Sequence, residues 1–326
     1  MTSPATPDGP DVPDLADVLS ARRRIAPYLR PTPLYSYPAL DALAGARLHV
    51  KHENHQPVGA FKVRGGVNLV SQLSADERTA GVVSASTGNH GQSVAYAGNL
   101  FGVRVIICVP EHANPVKVES MRALGAEVVF HGRDFDEARE HCEKLSAEQG
   151  YRYIHAANEP ALIAGVGTYA LEILEAQPDT DAIVVPVGGG SGACGTCVVA
   201  KSARQSIEVI GVQAEAAPAA YRSWQARALV TAPNSTLAEG LATGTAFDLP
   251  QRIMWQLLDD FVLVSEDALT NATRLMIEKT RNLVEPAGAA ALAAVLADPG
   301  RFAGRNVTIV CSGGNISPAQ IRALWP

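Results

Sequence analysis

The sequence is poor in the features that would place a protein in a membrane or outside the cell. Its 326 residues contain no apolar run that reaches the ~18 residues of a transmembrane helix. Its five cysteines, an odd number in a chain of this length, favour reduced thiols over a disulfide framework. The first residues, MTSPATPDGPDVPD, have no apolar core of a signal peptide, so we expect a disordered leader over residues 1–15 and a cytoplasmic protein.

The charge of the chain argues against two classes of partner. A net charge of -6 offers no electrostatic attraction to nucleic acid or to an anionic membrane. Apolar residues make up 47% of the chain and charged residues 18%, which is typical of a soluble globular protein with a large core. We therefore expect neither nucleic acid nor membrane as a partner.

Short β-rich runs alternate with helical stretches along the chain. Several runs are apolar throughout, as expected of parallel strands that are covered on both faces. Two of the stretches between them, Phe135–Gln149 and Ala161–Ala176, have clear helical periodicity. This alternation predicts an α/β protein with helix-flanked parallel sheets. The predicted strands are Arg47–Glu53, Gly81–Ser86, Arg104–Pro110, Glu127–Phe130, Asp181–Val187, Glu208–Gln213, Phe261–Ser265 and Asn306–Ser312.

One lysine stands among small residues, in the segment GAFKVRGG at residues 59–66. Lysines are usually exposed beside other charges. Glycines on both sides instead allow a ligand, a phosphate or another strand to come close to the backbone. Lys62 is therefore a candidate for contact with a ligand.

Three predicted strand ends carry glycine and polar residues, and ligands of such folds bind beyond the carboxyl ends of strands. PVGGGSGACG, residues 186–195, can cradle a phosphate with the N–H groups of its turn and of the following helix. STGNHGQ, residues 86–92, offers hydroxyls, an amide and helix-start N–H groups, which suit a carboxylate or a polar ring edge. CSGGN, residues 311–315, offers a neutral hydroxyl after the last strand.

Each of these segments has a simpler interpretation when it is taken alone. The glycine turn can serve only to pack a helix on a sheet. STGNHGQ can begin with an N-cap, and CSGGN can be a turn with a capping serine. Gly190, Gly192 and Gly195 also match the GxGxxG pattern of a dinucleotide site, whereas no Gly-Lys-Ser/Thr of a nucleotide P-loop follows. Together with Lys62, the segments supply what pyridoxal phosphate needs: an amine, a phosphate cradle and a partner for the ring nitrogen.

The same motifs resemble those of a known family. PVGAFKVRGG, STGNHGQ, PVGGGSGACG, LVEPAGAAALAAVL and CSGGN occur in the order found in threonine dehydratases and serine racemases. These are fold type II pyridoxal-phosphate enzymes, and they are related to the β chain of tryptophan synthase. The resemblance runs from about Arg30 to the C-terminus. It implies a tryptophan synthase β-like fold with two helix-flanked open twisted sheets. A small domain of residues 80–157 would be inserted in a large cofactor-binding domain of residues 16–79 and 158–326.

The resemblance also assigns roles to matching positions. Lys62 would hold pyridoxal 5'-phosphate covalently and remove the Cα proton of an amino-acid substrate, with Thr87 as the second catalytic residue. Ser312 would face the pyridine nitrogen. The other expected cofactor contacts are Phe61, Asn89, Gly188, Gly189, Gly190, Ser191, Gly192, Gly240 and Glu285. The expected substrate contacts are Ser86, Thr87, Asn89 and His90, and the expected assembly is a homo-oligomer, either a dimer or a tetramer.

The reaction implied by the resemblance is that of an ammonia-lyase, which converts L-threonine, L-serine or a related β-hydroxy amino acid to a 2-oxo acid and ammonia. A serine opposite the ring nitrogen suits elimination better than transamination. A racemase of the same fold is an alternative, which is weakened because Thr87 stands where racemase-like members tend to have serine. A dehydrogenase that uses Gly190-x-Gly192-x-x-Gly195 and a non-catalytic binding protein are alternatives of other classes, although a dehydrogenase would leave Lys62 without a function.

Some features point away from metals and regulation. The spacing of His49, His52 and His55 could suit a metal site. However, this segment is predicted as a strand that runs into a loop, and residues i and i+3 of a strand point to opposite faces. Members with a divalent-cation site usually show Glu-Pro where this chain has Gln213-Ala-Glu215, which puts that metal in doubt. We therefore expect no metal. We also expect no C-terminal regulatory domain, because the chain stops soon after CSGGN.

Overall fold

Residues 12–325 are described by a computed structural model, in which strands and helices alternate. The strands are β1 (Leu34–Ser36), β2 (Arg47–His52), β3 (Val82–Ala85), β4 (Val105–Val109), β5 (Glu127–Phe130), β6 (Arg152–Tyr153), β7 (Ala182–Pro186), β8 (Glu208–Ala214), β9 (Asp260–Val264) and β10 (Asn306–Cys311). The helices are α1 (Leu15–Ile25), α2 (Pro38–Ala44), α3 (Lys62–Val70), α4 (Ala75–Ala80), α5 (Asn89–Phe101), α6 (Pro115–Ala123), α7 (Phe135–Gln149), α8 (Pro160–Ala176), α9 (Ser191–Ala203), α10 (Ala219–Ala226), α11 (Asp248–Leu257), α12 (Glu266–Thr280), α13 (Pro286–Ala297), α14 (Pro299–Phe302) and α15 (Pro318–Leu324). Short 3₁₀ helices span Glu53–His55 and Glu239–Leu241.

The strands form two sheets. The larger sheet has the order β1-β2-β10-β7-β8-β9, and the smaller sheet has the order β5-β4-β3-β6. All neighbouring pairs are parallel except β1 and β2, which run antiparallel. The carboxyl ends of the parallel strands in each sheet therefore meet at one edge.

The centre of the larger sheet is buried on both faces. In β7, Ala182 and Val184 belong to the apolar cluster under α13, whereas Ile183 and Val185 belong to the cluster that includes residues of α3, α8 and α9. Successive side chains of a strand point to opposite faces, so a strand that is covered on both faces is expected to be largely apolar. This arrangement explains the unbroken run of small and β-branched residues in the sequence.

A buried ionic cluster ties β2 to α3 and α8. Arg64 donates to both carboxylate oxygens of Glu53, at 2.7 and 2.8 Å, and to both oxygens of Glu172, at 2.6 and 2.8 Å. Lys51 donates to Glu172 at 2.5 Å, so two cations face two carboxylates. Arg64 lies in the first turn of α3, two residues after Lys62. The cluster therefore fixes the helix that carries the candidate lysine.

The predicted α/β fold is confirmed, and the eight predicted strands differ from the observed ones by at most one residue at either end. Helix α7 has the predicted bounds, and α8 begins one residue earlier than predicted, at Pro160. Strands β1 and β6 were not predicted, and β1 makes the larger sheet mixed instead of wholly parallel.

The expected leader and domain bounds are only partly covered by the structure. Residues 1–11 lie outside the described residues, and α1 begins at Leu15 with Asp14 as its N-cap. All four strands of the smaller sheet fall inside residues 80–157, and the division into two domains at these bounds stays a prediction. None of the helices in residues 12–325 has both the length and the hydropathy that crossing a bilayer requires.

Candidate active site

The lysine segment and the end of the last strand are joined by backbone hydrogen bonds. The N–H of Phe61 donates to the carbonyl of Ser312 at 3.0 Å, and the N–H of Gly314 donates to the carbonyl of Gly59 at 2.9 Å. Gly59 has a φ of +67°, which favours glycine, and the Asn315 side chain lies only 2.7 Å from where its Cβ would be. Because β10 lies next to β2, two motifs that are far apart in the sequence form one wall.

Lys62 reaches from this wall to the glycine turn after β7. Its Nζ donates to the hydroxyl of Ser191 at 2.9 Å and to the carbonyl of Ala156 at 3.2 Å. Ser191 is the first residue of α9. The ring of Phe61 lies beside the same turn, where two of its carbons are 3.5 and 3.6 Å from the Cβ position of Gly192. The structure thus brings together the lysine and the phosphate cradle that the sequence predicted separately.

The amine of Lys62 is electrostatically unusual. Burial lowers its pKa from 10.5 to about 8. No carboxylate of residues 12–325 accepts a hydrogen bond from Nζ, whose acceptors are a hydroxyl and a carbonyl. A substantial fraction of the amine is therefore neutral near physiological pH, as a nucleophile or a general base requires.

The glycine turn has the geometry of an anion site. Gly190 is the N-cap of α9 with a φ of +96°, and no side chain of the described residues caps the first turn of this helix. A Cβ on Gly188 would lie 2.2 Å from the carbonyl oxygen of Gly240, so the close approach of these two segments requires glycine. Uncapped N–H groups at a helix start favour an anion. The ammonium form of Lys62, which lies beside the same helix end, also favours an anion there. The residues present therefore fit a phosphate group.

Asn89 connects the two sheets at the site. Its Nδ2 donates to Glu285 Oε1 at 2.7 Å, and its Oδ1 accepts from Asn315 Nδ2 at 2.7 Å. Glu285 is buried, and burial raises the pKa of its carboxyl group. The same Oε1 lies 3.8 Å from the Cβ position of Gly240. Asn89, Gly240 and Glu285, predicted as ring neighbours, thus lie together.

Ser312 closes the site from the side of α13. It is buried, and its hydroxyl donates to the carbonyl of Ala287 at 3.4 Å. The Ser312 hydroxyl itself carries no charge. Any ring nitrogen that faces it meets a neutral hydroxyl group.

Two of the expected substrate contacts have side chains that face the protein. The Ser86 hydroxyl oxygen accepts from the N–H of Gly88 at 3.2 Å and of Gly91 at 2.9 Å, as in the simpler capping interpretation. The His90 ring lies 3.0 Å from Ser84 Oγ through Nε2, and it is only 5% exposed. We assign Ser86 and His90 to positioning the start of α5, and their contact with a substrate stays a prediction.

Thr87 remains open at the start of α5. It is half-buried, and no group of residues 12–325 forms a hydrogen bond with its hydroxyl. The N–H groups of Asn89 and His90, in the first turn of α5, have no acceptor four residues earlier in the helix. This end of the helix therefore offers a hydroxyl and two N–H groups to a carboxylate.

Two side chains at the site were not predicted. Lys117 on α6 is buried and forms an ion pair with Glu239, and its Nζ lies 3.9 Å from the Cβ position of Gly88. His155 follows β6 and precedes the carbonyl that accepts from Lys62. Lys117 stands in an ordinary helical segment and has no sequence signal. His155 follows a strand end, but that strand has only two residues.

The residues at positions considered for a metal site form contacts within the protein. Gln213 accepts from the N–H of Tyr221 at 3.0 Å and donates to the Thr243 hydroxyl at 3.4 Å, and Thr243 in turn donates to the carbonyl of Gly188 at 3.5 Å. His52 bonds to Tyr37 and Asn54 through its two ring nitrogens. Among residues 12–325, no three His, Cys, Asp or Glu side chains are grouped to hold a metal ion.

Known proteins resemble the chain over nearly its whole length. Residues 25–313 match the family described as "Pyridoxal-phosphate dependent enzyme". An L-threonine ammonia-lyase of Thermotoga maritima is 39% identical over 306 residues, which cover 94% of this chain and 76% of that protein. A crystal structure of a T.th. threonine deaminase is similar, with a TM-score of 0.88 and 38% identity over 94% of this chain and 99% of that one. Maize serine racemase has a TM-score of 0.90 and 32% identity, with 96% of each chain covered. The chain belongs to the family of pyridoxal-phosphate dependent enzymes.

Proposed function

We propose that the protein is an ammonia-lyase that converts a β-hydroxy amino acid such as L-threonine or L-serine to a 2-oxo acid and ammonia. The observation that carries the proposal is the Lys62 amine, which has a pKa of about 8 and lies 2.9 Å from Ser191 Oγ at the start of α9. The names of two similar proteins, an L-threonine ammonia-lyase and a threonine deaminase, support this substrate class. The dehydrogenase alternative is set aside because the family uses pyridoxal phosphate.

The cofactor would be held by the residues that converge at the strand ends. The turn of Gly188–Gly192 would bind the phosphate, Lys62 would bind the aldehyde carbon, and Ser312 would face the ring nitrogen. Phe61, Asn89, Gly240 and Glu285 would surround the ring. When bound, pyridoxal phosphate supplies an electron sink that stabilises negative charge at the substrate Cα.

The residues of the chain supply binding and proton transfer. The start of α5, with Thr87, would hold the substrate carboxylate against the positive end of the helix. Lys62 Nζ, once free, would take the proton from Cα. Loss of the β-hydroxyl as water leaves an unsaturated amine, which takes up water and releases the 2-oxo acid and ammonia. The neutral Ser312 hydroxyl places no negative charge in the site that would favour a protonated ring nitrogen.

Racemisation is the second candidate, and the similarity to maize serine racemase favours it. It requires a proton donor across Cα from Lys62, and our candidate for this donor is Thr87, whose hydroxyl has no hydrogen-bond partner among residues 12–325. The β-branch of threonine restricts the directions of that hydroxyl. We therefore propose that elimination predominates over racemisation.

The test uses purified protein and single L-enantiomers. The protein should absorb visible light through its bound cofactor. With L-threonine or L-serine, formation of the 2-oxo acid should be much faster than formation of the D-enantiomer. Coupled reduction measures the 2-oxo acid, and chiral chromatography measures the D-enantiomer. D-product that forms as fast as 2-oxo acid would make the protein a racemase, and a colourless, inactive protein would contradict both candidates.

Assembly and location are further proposals. The helix-flanked fold and the amino-acid substrate class are those of the family, and we propose that the chain acts in the cytoplasm as a homo-oligomer. Light scattering after size-exclusion chromatography would measure the mass of the assembly. A mass equal to that of one chain would contradict the proposed oligomer.

A further inference from the structure

The loop after β6 places an imidazole beside Lys62. The carbonyl that accepts from Lys62 Nζ, at 3.2 Å, belongs to Ala156, the residue that follows His155. The His155 ring meets the Phe247 ring edge-on, with centroids 4.9 Å apart. Phe247 in turn lies 3.4 Å from the Cβ position of Gly189 in the phosphate turn. His155 is therefore adjacent in the chain to a residue that contacts Lys62, and its ring packs on a residue that lies beside the phosphate turn.

The backbone fixes the tautomer of this ring. Nδ1 of His155 accepts from the N–H groups of Ala157 and Asn158, both at 2.9 Å. A nitrogen that accepts two hydrogen bonds carries no proton, so Nε2 carries the proton of the neutral ring. Burial, together with the charges of Lys62 and Arg139, lowers the pKa of His155 to about 4, against a smaller opposing effect of Glu143. The ring is therefore neutral near physiological pH.

The Nε2–H of His155 has no hydrogen-bond acceptor among residues 12–325. It is not sealed in the interior, because the residue is half-buried. Because the ring is half-buried, this N–H can donate to an acceptor on a molecule that binds at the site. Here one nitrogen shapes the loop, and the other is left as a donor with a fixed orientation at the site.

We propose that the Nε2–H of His155 is a specificity group that donates a hydrogen bond to the β-hydroxyl oxygen of the bound amino acid. This inference rests on the proposed function. For Lys62 to reach Cα, the substrate must lie next to its amine, and His155 immediately precedes Ala156, whose carbonyl accepts from that amine. A neutral imidazole orients the oxygen without adding a positive charge beside Lys62. It selects amino acids with an oxygen on Cβ over those without one.

The test separates the two nitrogens of the ring. In His155→Asn the side-chain oxygen can still accept near the Nδ1 position, but the donor at Nε2 is lost. In His155→Gln the amide N–H can reach the Nε2 position. The ligands are α-methyl-L-serine and 2-aminoisobutyrate, which differ by one hydroxyl group and have no Cα proton, so neither can undergo elimination. Binding to the holoenzyme is measured by calorimetry.

We expect His155→Asn to weaken the binding of α-methyl-L-serine about 5- to 10-fold, as for the loss of one hydrogen bond. The binding of 2-aminoisobutyrate should change much less, and His155→Gln should recover part of the loss. The ratio of kcat/KM for L-serine to that for β-chloro-L-alanine, whose chloride is a weak acceptor, should also fall several-fold in His155→Asn.

Three results would overturn the inference. Equal weakening of both ligands would show that His155 acts only through its loop. Unchanged binding of both would show that it does not contact the ligand, and an unchanged kcat/KM ratio would exclude a contact with the β-oxygen. A different result would contradict the proposed function: the holoenzyme would bind the two ligands with different affinities and yet release no 2-oxo acid from L-threonine or L-serine.

Discussion

At the scale of single residues, the proposed chemistry depends on one amine. Lys62→Ala should abolish turnover and the covalent retention of the cofactor while the fold is kept, because Nζ is the amine that contacts the first residue of α9. Mass spectrometry after borohydride reduction should find no cofactor attached to the variant. Lys144→Ala is the control, since that lysine lies on the exposed face of α7. A variant at position 62 that still binds the cofactor covalently would refute the assignment.

The depressed pKa of Lys62 predicts how cofactor uptake depends on pH. Only the neutral amine attacks an aldehyde, and its fraction rises as the pH rises through the folded pKa of about 8. The rate at which the apoprotein takes up pyridoxal phosphate should therefore be half-maximal near pH 8. Absorbance would measure this rate from about pH 6 to about pH 10. A midpoint near the ordinary lysine value of ~10.4 would contradict the buried setting of this amine.

Residue identities at the site were only partly predictable from the sequence. Lys62 and the residues of Gly188–Gly192 could be identified as candidates because an amine or a turn that a ligand approaches closely needs glycines around it. His155 could not, because what makes it notable is an unpaired nitrogen, and hydrogen-bond partners are not visible in sequence. The inward-facing side chain of His90 was missed for the same reason, since the motif shows which residue is present and not which way it points.

At the scale of elements, the turn that we propose as the phosphate cradle depends on the close approach of two segments, at Gly188 and Gly240. In Gly188→Ala the added Cβ would lie 2.2 Å from the carbonyl oxygen of Gly240, so one of the two segments must move. We expect a cost of about 1–3 kcal/mol in overpacking and a fall of roughly tenfold or more in affinity for pyridoxal phosphate. Equilibrium dialysis and thermal unfolding would measure both.

Gly300→Ala is a matched control for that prediction. The atom nearest to its added Cβ is 3.7 Å away, and the residue lies in α14, which contributes no residue to the proposed site. Its affinity for the cofactor should equal that of the unmodified protein. If Gly188→Ala binds the cofactor as tightly as Gly300→Ala, the turn is not the cradle.

Strand positions were predicted well because both faces of the sheets are covered, and this makes β4 and β7 unbroken apolar runs. Strand β1 was not predicted because its three residues, Leu34–Ser36, are too few to show an apolar pattern that distinguishes a strand from a loop. Strand β6 has two residues, Arg152 and Tyr153, neither of which is fully buried. Edge strands as short as these are held by their neighbours and not by their own composition.

At the scale of the whole molecule, the ionic cluster around Arg64 should matter for stability. Arg64→Met would leave the carboxylates of Glu53 and Glu172 without their main partner in a buried site, which typically costs about 3–5 kcal/mol. Denaturant unfolding should show a clearly lower midpoint than for the unmodified chain. Lys144→Ala, which removes an exposed charge, should leave the midpoint nearly unchanged. Equal midpoints for the two variants would mean that the cluster adds nothing to folding.

The strand order of the larger sheet has a consequence for synthesis. Of the strands described in this sheet, β10 is made last, yet it lies in the middle of the sheet, between β2 and β7. Until Asn306–Cys311 emerges, those two strands have no shared neighbour and keep open edges, which are the parts of nascent chains most prone to wrong pairing. The smaller sheet is complete by Tyr153, so its strands can pair early. The candidate lysine is therefore made early but acquires its surroundings only after β10 has been made.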